Sequence, residues 1–164
     1  MILNKNVKET DSFLDVNNDI YRIMNVFNKC QELKQFLVNT DKKPLEGKEV
    51  DKDLRDKQIS RTPLVPYDEE EGSIIVISLI SADEDPKSDT LHPTLAIDIF
   101  TPGNQWIINE GIRPLNIAHT VSNLMKFELT QTGGVKYRCT GIVHCQLTDI
   151  LLGYRMLYEA VIDD

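Results

Sequence analysis

The sequence feature that most constrains the fold is a pair of apolar segments joined by a short acidic connection. Residues 73–82, SIIVISLISA, form a nearly continuous apolar run rich in β-branched side chains, which predicts a strand covered on both faces. Residues 94–101, TLAIDIFT, alternate apolar and other side chains with the period of two that is typical of a strand. The connection between them is long enough for the two strands to pair in antiparallel fashion.

The last third of the chain carries two further segments with the same alternation. Residues 135–147, VKYRCTGIVHCQL, and residues 153–163, GYRMLYEAVID, predict a second pair of strands. A regular alternation places Cys139 and Cys145 on one apolar face of the first segment and His144 on the other face. We therefore expect both cysteines to be buried as small hydrophobic side chains.

Two segments carry apolar side chains at the spacing of three or four residues that is typical of a helix. The first predicts a helix over residues 18–38, for which Asn17, Asn18 and Asp19 are plausible caps. The second begins at Pro114, which suits the first turn of a helix because its missing N–H is not needed there. The resulting order, α-β-β-α-β-β, predicts an α+β fold in which two helices flank one face of a small, mainly antiparallel sheet.

The chain divides into a short N-terminal arm and one domain. Residues 1–16 contain only scattered apolar side chains, which indicates an arm, whereas residues 17–164 form a single α+β domain. Within this domain, residues 39–72 are rich in charged side chains and predict a long loop or arm.

Two interpretations of this charged segment are compatible with its composition. One is a mobile connection with a short helix near residues 49–57. The other is an arm that lies on a neighbouring subunit, where three apolar side chains act as anchors: Ile59, Leu64 and Val65.

The composition disfavours several classes of protein. The 164 residues carry a formal net charge of −8, whereas a large nucleic-acid surface needs clustered Lys and Arg. No segment is long and apolar enough to cross a membrane, and the first residues lack the apolar core of a signal peptide. The odd number of cysteines suits a reducing compartment. We expect an acidic protein that is made inside the cell and does not bind a membrane.

The sequence offers little that predicts catalysis. It contains no phosphate-binding glycine loop, no nucleophile elbow and no calcium-loop pattern. Cys139, His144 and Cys145 lie close in sequence, but structural zinc usually takes four ligands from closely spaced pairs, and the alternation separates these three side chains. His92 and His119 fit a strand entrance and a helix surface. We predict a protein without enzymatic activity, catalytic residues, cofactor or metal.

Two residues before the second helix are candidates for an interface. Trp106 lies in a connection, where a large aromatic side chain is either tucked under the domain or offered to a partner. Arg113 directly precedes the predicted helix, where it can pair with a carboxylate, reach across an interface or stay solvated.

Three segments of the second half form a combination that is known from another group of proteins. The first is AIDIFTPGNQW at residues 96–106, a strand that ends in a P-x-x-x-W loop. The second is the turn and helix GIRPLNIAHTVSNLMK at 111–126, and the third is GYRMLYEAVID at 153–163, with a Gly-Tyr-x-x-x-Tyr pattern. Over roughly residues 59–163, the chain resembles small neck proteins of tailed bacteriophages.

This resemblance implies a structural protein of the virion neck that is made in the host cytoplasm. Such proteins form homo-oligomeric rings of six or twelve copies and contact neighbouring neck, portal or tail-tube proteins. The expected role is that of a tail terminator, or tail completion protein, which ends or seals the tail tube. An adaptor or stopper of the head–tail connector is the alternative within this class. A small non-virion regulator that binds a protein is the alternative outside it.

Genomic DNA passes through such a ring without sequence-specific binding. An acidic wall repels the phosphate groups of DNA, so two acidic loops are candidates for the surface that faces the channel. Their residues are Asp68, Glu69, Glu70, Glu71, Asp83, Glu84 and Asp85.

Overall fold

The computed structural model describes residues 12–62 and 72–161. No helix within these ranges combines the length and the apolar character that crossing a membrane requires. The helices are α1 (Phe13–Lys29), α2 (Gln31–Val38) and α3 (Arg113–Asn123), which continues through a π-helical turn (Leu124–Glu128) into a last α-helical turn (Leu129–Gln131). The strands are β1 (Ile59–Ser60), β2 (Ile74–Asp85), β3 (Thr90–Pro102), β4 (Ile107–Ile108), β5 (Gly111–Ile112), β6 (Lys136–Gln146) and β7 (Leu151–Val161).

One sheet contains the four long strands and β1 in the order β1-β2-β3-β7-β6. β1 runs parallel to β2, and the other neighbouring pairs in this sheet are antiparallel. β4 and β5 form a separate small hairpin before α3. The predicted α+β fold with a mainly antiparallel sheet is therefore confirmed, and β7 joins the two predicted strand pairs by lying between β3 and β6.

The first helix begins earlier than the sequence predicted. The side chain of Ser12 accepts a hydrogen bond from the backbone N–H of Asp15, which caps α1. Residues 13–16 therefore belong to α1 rather than to an arm, and Val16 is buried in the core. The remainder of the predicted arm, residues 1–11, lies outside the described residues.

The single helix predicted over residues 18–38 is divided into α1 and α2. Cys30 adopts an extended backbone conformation, with φ −83° and ψ 108°, and so ends α1 and begins α2. Phe27 before the break and Leu33 after it are both fully buried. The prediction missed the break because the buried face continues across it without interrupting the apolar spacing.

The described part of the charged segment, residues 39–62, packs on its own chain. Val50, Leu54 and Ile59 are buried in the core. The side chain of Gln31 accepts a hydrogen bond from the Val50 N–H at 2.7 Å and donates one to the Val50 C=O at 3.3 Å. These contacts fix the segment against the start of α2.

The short helix expected near residues 49–57 is absent, because the backbone there forms turns and one isolated bridge. Within the described part of the segment, the helical turn is the 3₁₀ turn Pro44–Glu46. Residues 63–71, which include Leu64 and Val65, lie outside the described ranges.

Two bulges determine which side chains share a face of the sheet. The register shifts between Leu79 and Ser81 in β2 and between Cys139 and Gly141 in β6. The second bulge reverses the alternation, so Cys139 lies on the face that the helices cover and Cys145 lies on the opposite face. The prediction that both cysteines share a buried face is wrong. The two side chains lie on opposite faces, and Cys139 is exposed.

The main core lies between the helices and one face of the sheet. Complete burial of one aliphatic side chain contributes roughly 1.5–3 kcal/mol, so these layers dominate the stability of the fold. Fully buried members of the core include Ile23, Phe27, Leu33, Leu37, Ile75, Ile77, Leu95, Ile97, Ile99, Ile117 and Val121. A smaller cluster on the opposite face contains Ile74, Val76, Phe100 and Leu151.

The glycine of the Gly-Tyr-x-x-x-Tyr pattern has a packing role. Gly153 in β7 pairs with Phe100 in β3. A Cβ atom at position 153 would lie 1.6 Å from the carbonyl oxygen of Ile99. The two strands can therefore approach this closely only because residue 153 lacks a side chain.

Candidate assembly surface

The sheet ends on both sides in strands whose outer backbone groups largely lack a partner among the described residues. None of the described residues pairs with the outer side of β6, which we call the β6 edge (residues 136–146). β1 covers the outer side of β2 only at Ile75 and Val76. Within the described ranges, no strand residue is paired with the outer side of residues 77–85, which we call the β2 edge. Unpaired N–H and C=O groups on such edges can pair with a strand of another chain.

The β6 edge carries exposed apolar side chains in its middle and basic side chains at its start. Ile142 is 47% exposed and Val143 is 51% exposed. Lys136 and Arg138 are exposed, and neither forms an ion pair with the described residues. Large apolar side chains on a long open edge are typical of a surface that another chain covers.

The β2 edge carries a similar apolar pair but acidic charges. Leu79 is exposed, and Ile80 beside the bulge is 45% exposed. Asp83 and Glu84 are exposed and form no ion pair within the part of the chain that the structure describes. The edge is therefore apolar in its middle and negative at its end.

The acidic residues 83–85, predicted to start a loop, instead form the end of β2, and a tight turn follows them. Asp85 accepts hydrogen bonds from the backbone N–H of Lys87 at 2.9 Å and from the Ser88 hydroxyl at 2.8 Å. These two bonds lower the pKa of the Asp85 carboxyl. The positive φ of 53° at Asp89 closes the turn.

Arg113, predicted as an interface candidate, is a buried clamp within its own chain. Only 1% of the residue is exposed. Its guanidinium donates hydrogen bonds to the backbone carbonyls of Gln105 at 2.9 Å, Phe36 at 3.0 Å, Asn39 at 2.6 Å and Asp41. Burial lowers the pKa of this guanidinium. The interface assignment of Arg113 is wrong because the side chain ties the end of α2 to the loop before α3 and offers no surface.

Trp106 is half-buried at the end of the sheet opposite the β2–β3 turn. Its ring centroid lies 6.1 Å from that of Tyr154 in β7, at an interplanar angle of 45°. The ring of His144 in β6 meets Tyr154 edge-on, also at 6.1 Å. Trp106 therefore packs partly on its own chain, and the rest of its surface stays open beside the exposed Ile107.

The remaining interface and channel candidates fall into two groups. Ile59 is fully buried and pairs with Ile75, so it anchors its own core rather than a neighbouring subunit. The other candidates lie outside the described residues: Leu64, Val65, Asp68, Glu69, Glu70 and Glu71.

The helix-free face of the sheet carries an ion pair that was not predicted from the sequence. Arg155 in β7 binds both carboxylate oxygens of Asp98 in β3, at 2.7 and 2.8 Å. Burial, reinforced by the Asp98 charge, raises the pKa of the nearby Cys145 thiol to about 11. Cys145 therefore stays protonated near neutral pH, which disfavours a nucleophilic role. The signal in the sequence was the single charged residue within the apolar strand TLAIDIFT.

A second polar cluster joins α1 to β6. The Tyr137 hydroxyl donates to the Asp19 carboxylate at 2.8 Å, and Arg22 approaches the other Asp19 oxygen at 3.3 Å. Arg22 also donates to the carbonyl oxygens of Gly133 and Val135. Burial and the Asp19 charge raise the pKa of Tyr137. A cleft of about 290 Å³ lies beside this cluster.

The described residues contain no group of three or more His, Cys, Asp or Glu side chains arranged to hold a metal ion. His144 points to the same face as Cys139, because the bulge reverses the alternation, but it lies five residues further along β6 and packs on Tyr154. Cys139, His144 and Cys145 are thus not brought together as metal ligands.

Residues 31–160, from the start of α2 to the last but one residue of β7, match a protein-family model described as YomW. The matched range contains both sheet edges. No curated protein and no solved structure shows a significant match to the chain.

Proposed function

We propose a structural role in the phage particle for this chain, which belongs to the YomW family, a phage-related family. The proposed role is that of a neck protein whose copies form a ring between head and tail. Within that class we favour a tail terminator, which ends or seals the tail tube, over an adaptor or stopper of the head–tail connector.

The observation that carries this proposal is the pair of open sheet edges. Each edge exposes two large aliphatic side chains next to backbone groups that have no strand partner among residues 12–62 and 72–161. Proteins that act alone usually blunt or cover such edges, whereas subunits of an assembly cover them with a neighbour. Two different edges on opposite sides of one subunit suit a heterologous contact, which generates a ring when the rotation closes.

The charge of the chain supports a position around DNA without binding to it. The formal net charge of −8 disfavours adhesion to a polyphosphate. Asp83, Glu84 and Asp85 lie at the turn end of the β2–β3 hairpin, where they are available to a channel. DNA then passes the ring through electrostatic repulsion rather than sequence recognition.

The test is to tag the protein in its native genome, purify the tagged material and image it by negative-stain electron microscopy. We expect tailed particles labelled at the neck, or rings with a central hole. A label at the tail end of the neck supports the terminator, and a label next to the portal supports the adaptor. A small species bound to one host protein, without particles, would overturn the proposal in favour of a regulator.

A further inference from the structure

We propose that β6 of one copy pairs in antiparallel fashion with the β2 edge of the next copy, so that the sheet continues from subunit to subunit. This inference rests on the proposed homo-oligomeric ring and names the contact that builds it. The occupant of each edge is a second copy of this chain.

Strand direction makes such a contact antiparallel. Successive strands of the sheet reverse direction from β2 to β3, β7 and β6. β6 therefore runs opposite to β2 of its own chain, and opposite to β2 of an identically oriented neighbour. Antiparallel pairing across the boundary continues the pattern of hydrogen bonds that the sheet already has.

The two edges also lie at the same level of the sheet. One cross-strand row consists of Ser81, Thr94, Glu159 and Arg138, so Ser81 and Arg138 are the opposite ends of a single row. In a ring with the strands along its axis, rotation brings Arg138 of one copy next to Ser81 of the next. Lys136 lies two residues before Arg138, and Asp83 lies two residues after Ser81. Because the strands are antiparallel, Lys136 of one copy then lies opposite Asp83 of the next copy.

The side chains that meet in this register carry opposite charges and share one face. Arg138 pairs with Glu159, and Asp83 pairs with His92, on the helix-free face of their strands. Lys136 lies two residues from Arg138, and Asp83 lies two residues from Ser81 in the same cross-strand row. The side chains of Lys136 and Asp83 therefore project to the same face. Both are exposed, and neither has an ion-pair partner among the described residues. Opposite charges directly across two strands stabilise their pairing.

The apolar side chains reinforce the same register. The adjacent cross-strand row begins at Leu79 and ends at Cys139, and its side chains lie on the helix-covered face. Ile142 lies on this face too, one step along β6 from Cys139 after the bulge. In the proposed contact, Leu79 of one copy is a diagonal neighbour of Ile142 of the other, so both exposed side chains become covered.

The two bulges set the length of the paired region. A bulge at a sheet edge commonly prevents pairing, because it disturbs the row of N–H and C=O groups. Here the bulges at Leu79/Ser81 and Cys139/Gly141 flank one cross-strand row, the row that ends in Leu79 and Cys139. Backbone pairing in the contact therefore uses the strand sections beyond the bulges, residues 81–83 of one copy and 136–138 of the other, whereas Leu79 and Ile142 meet only through their side chains. This register moves Asp83 from the channel-facing set to the subunit boundary.

The experiment is a charge exchange read out by native mass spectrometry on the full chain. We expect Asp83→Lys and Lys136→Glu each to reduce the oligomer by at least about tenfold, and the double variant to restore it. Lys87→Glu is the matched control, because this exposed residue in the turn lies off both edges. Single variants that assemble like the wild type, or a double variant that stays dissociated, would overturn the inference.

A cross-link separates this inference from the proposed function. Lys136→Cys combined with Asp83→Cys, in a Cys139→Ser background, is expected to give covalent multimers upon oxidation, both in the isolated protein and in tagged particles. Lys136→Cys with Lys87→Cys is expected to give none. Particles that contain the chain but give no multimers refute the edge pairing and leave the neck role intact. Multimers of a chain that is absent from particles refute the neck role alone.

Discussion

β2 passes from a buried region to an exposed one, and the two halves of this strand have different roles. Its first residues, Ile74–Ile77, are buried between the core and the smaller cluster. From Leu79 onward the strand is mainly exposed and ends in acidic side chains. The first half accounts for the stability of the fold, whereas the second half is free to serve a surface role. Substitutions in the buried region should change the free energy of unfolding, and those near the turn should change assembly.

The largest loss of stability is expected for Arg113→Met. This change removes hydrogen bonds to four carbonyl groups in a buried region and should lower the free energy of unfolding by about 3–5 kcal/mol. Urea unfolding followed by circular dichroism measures it. Lys52→Met, at an exposed position away from both sheet edges, is the control and should stay within about 0.5 kcal/mol of the wild type. If both variants unfolded at the same urea concentration, Arg113 would not act as a stabilising buried clamp.

A matched pair in β2 tests the comparison within a single strand. Ile77→Ala removes a fully buried side chain and should cost about 2–5 kcal/mol, because a cavity remains in the core. Ile80→Ala removes the same atoms from a side chain that is 45% exposed and should cost less than about 1 kcal/mol. The same urea titration measures both. If the two variants lose equal stability, the strand is not divided as the structure shows.

The sequence predicted the elements whose signals are local. The alternation in TLAIDIFT and the apolar run before it identified β2 and β3, and Pro114 marked the start of α3 within one residue. The break at Cys30 and the bulges were missed, because neither depends on a residue type that interrupts the apolar spacing. The charged segment was misjudged since Val50 and Leu54 are single apolar residues whose partners lie far away in sequence.

The site was less predictable than the fold. Arg113 was predicted as an interface candidate, with a carboxylate partner or a solvated position as alternatives. Its actual acceptors are backbone carbonyls, which leave no pattern in the sequence, and three of them are more than 70 residues away. The β6 edge could not be identified either, since alternation predicts a strand but not its place in the sheet. Only the strand order shows that β6 is outermost.

A smaller effect with a defined pH dependence is expected for Tyr137→Phe. Loss of the hydrogen bond to Asp19 should cost about 1–2 kcal/mol at pH 7. The folded-state pKa of Tyr137 is raised above its ordinary value of 10.0, so its stabilising contribution is complete below that pH and is lost as the pH rises above it. Urea unfolding at pH 7 and pH 10.5 should show the difference between variant and wild type shrinking. Tyr21→Phe at an exposed position is the control.

The smallest effect is expected at the exposed turn, for Asp85→Asn. The amide accepts the bonds from the Lys87 N–H and the Ser88 hydroxyl less strongly than the carboxylate does, so the turn should open more often while the core is unchanged. Because the folded-state pKa of Asp85 lies below its ordinary 3.8, the contribution is present above that pH and is lost as the pH falls through the folded value. Hydrogen exchange of the Lys87 amide should therefore be faster in the variant at pH 6, after correction for the intrinsic rate, while Ile77 exchanges at the wild-type rate. Faster exchange at both positions would show that the turn and the buried half of β2 unfold as one unit, which would remove the distinction between them.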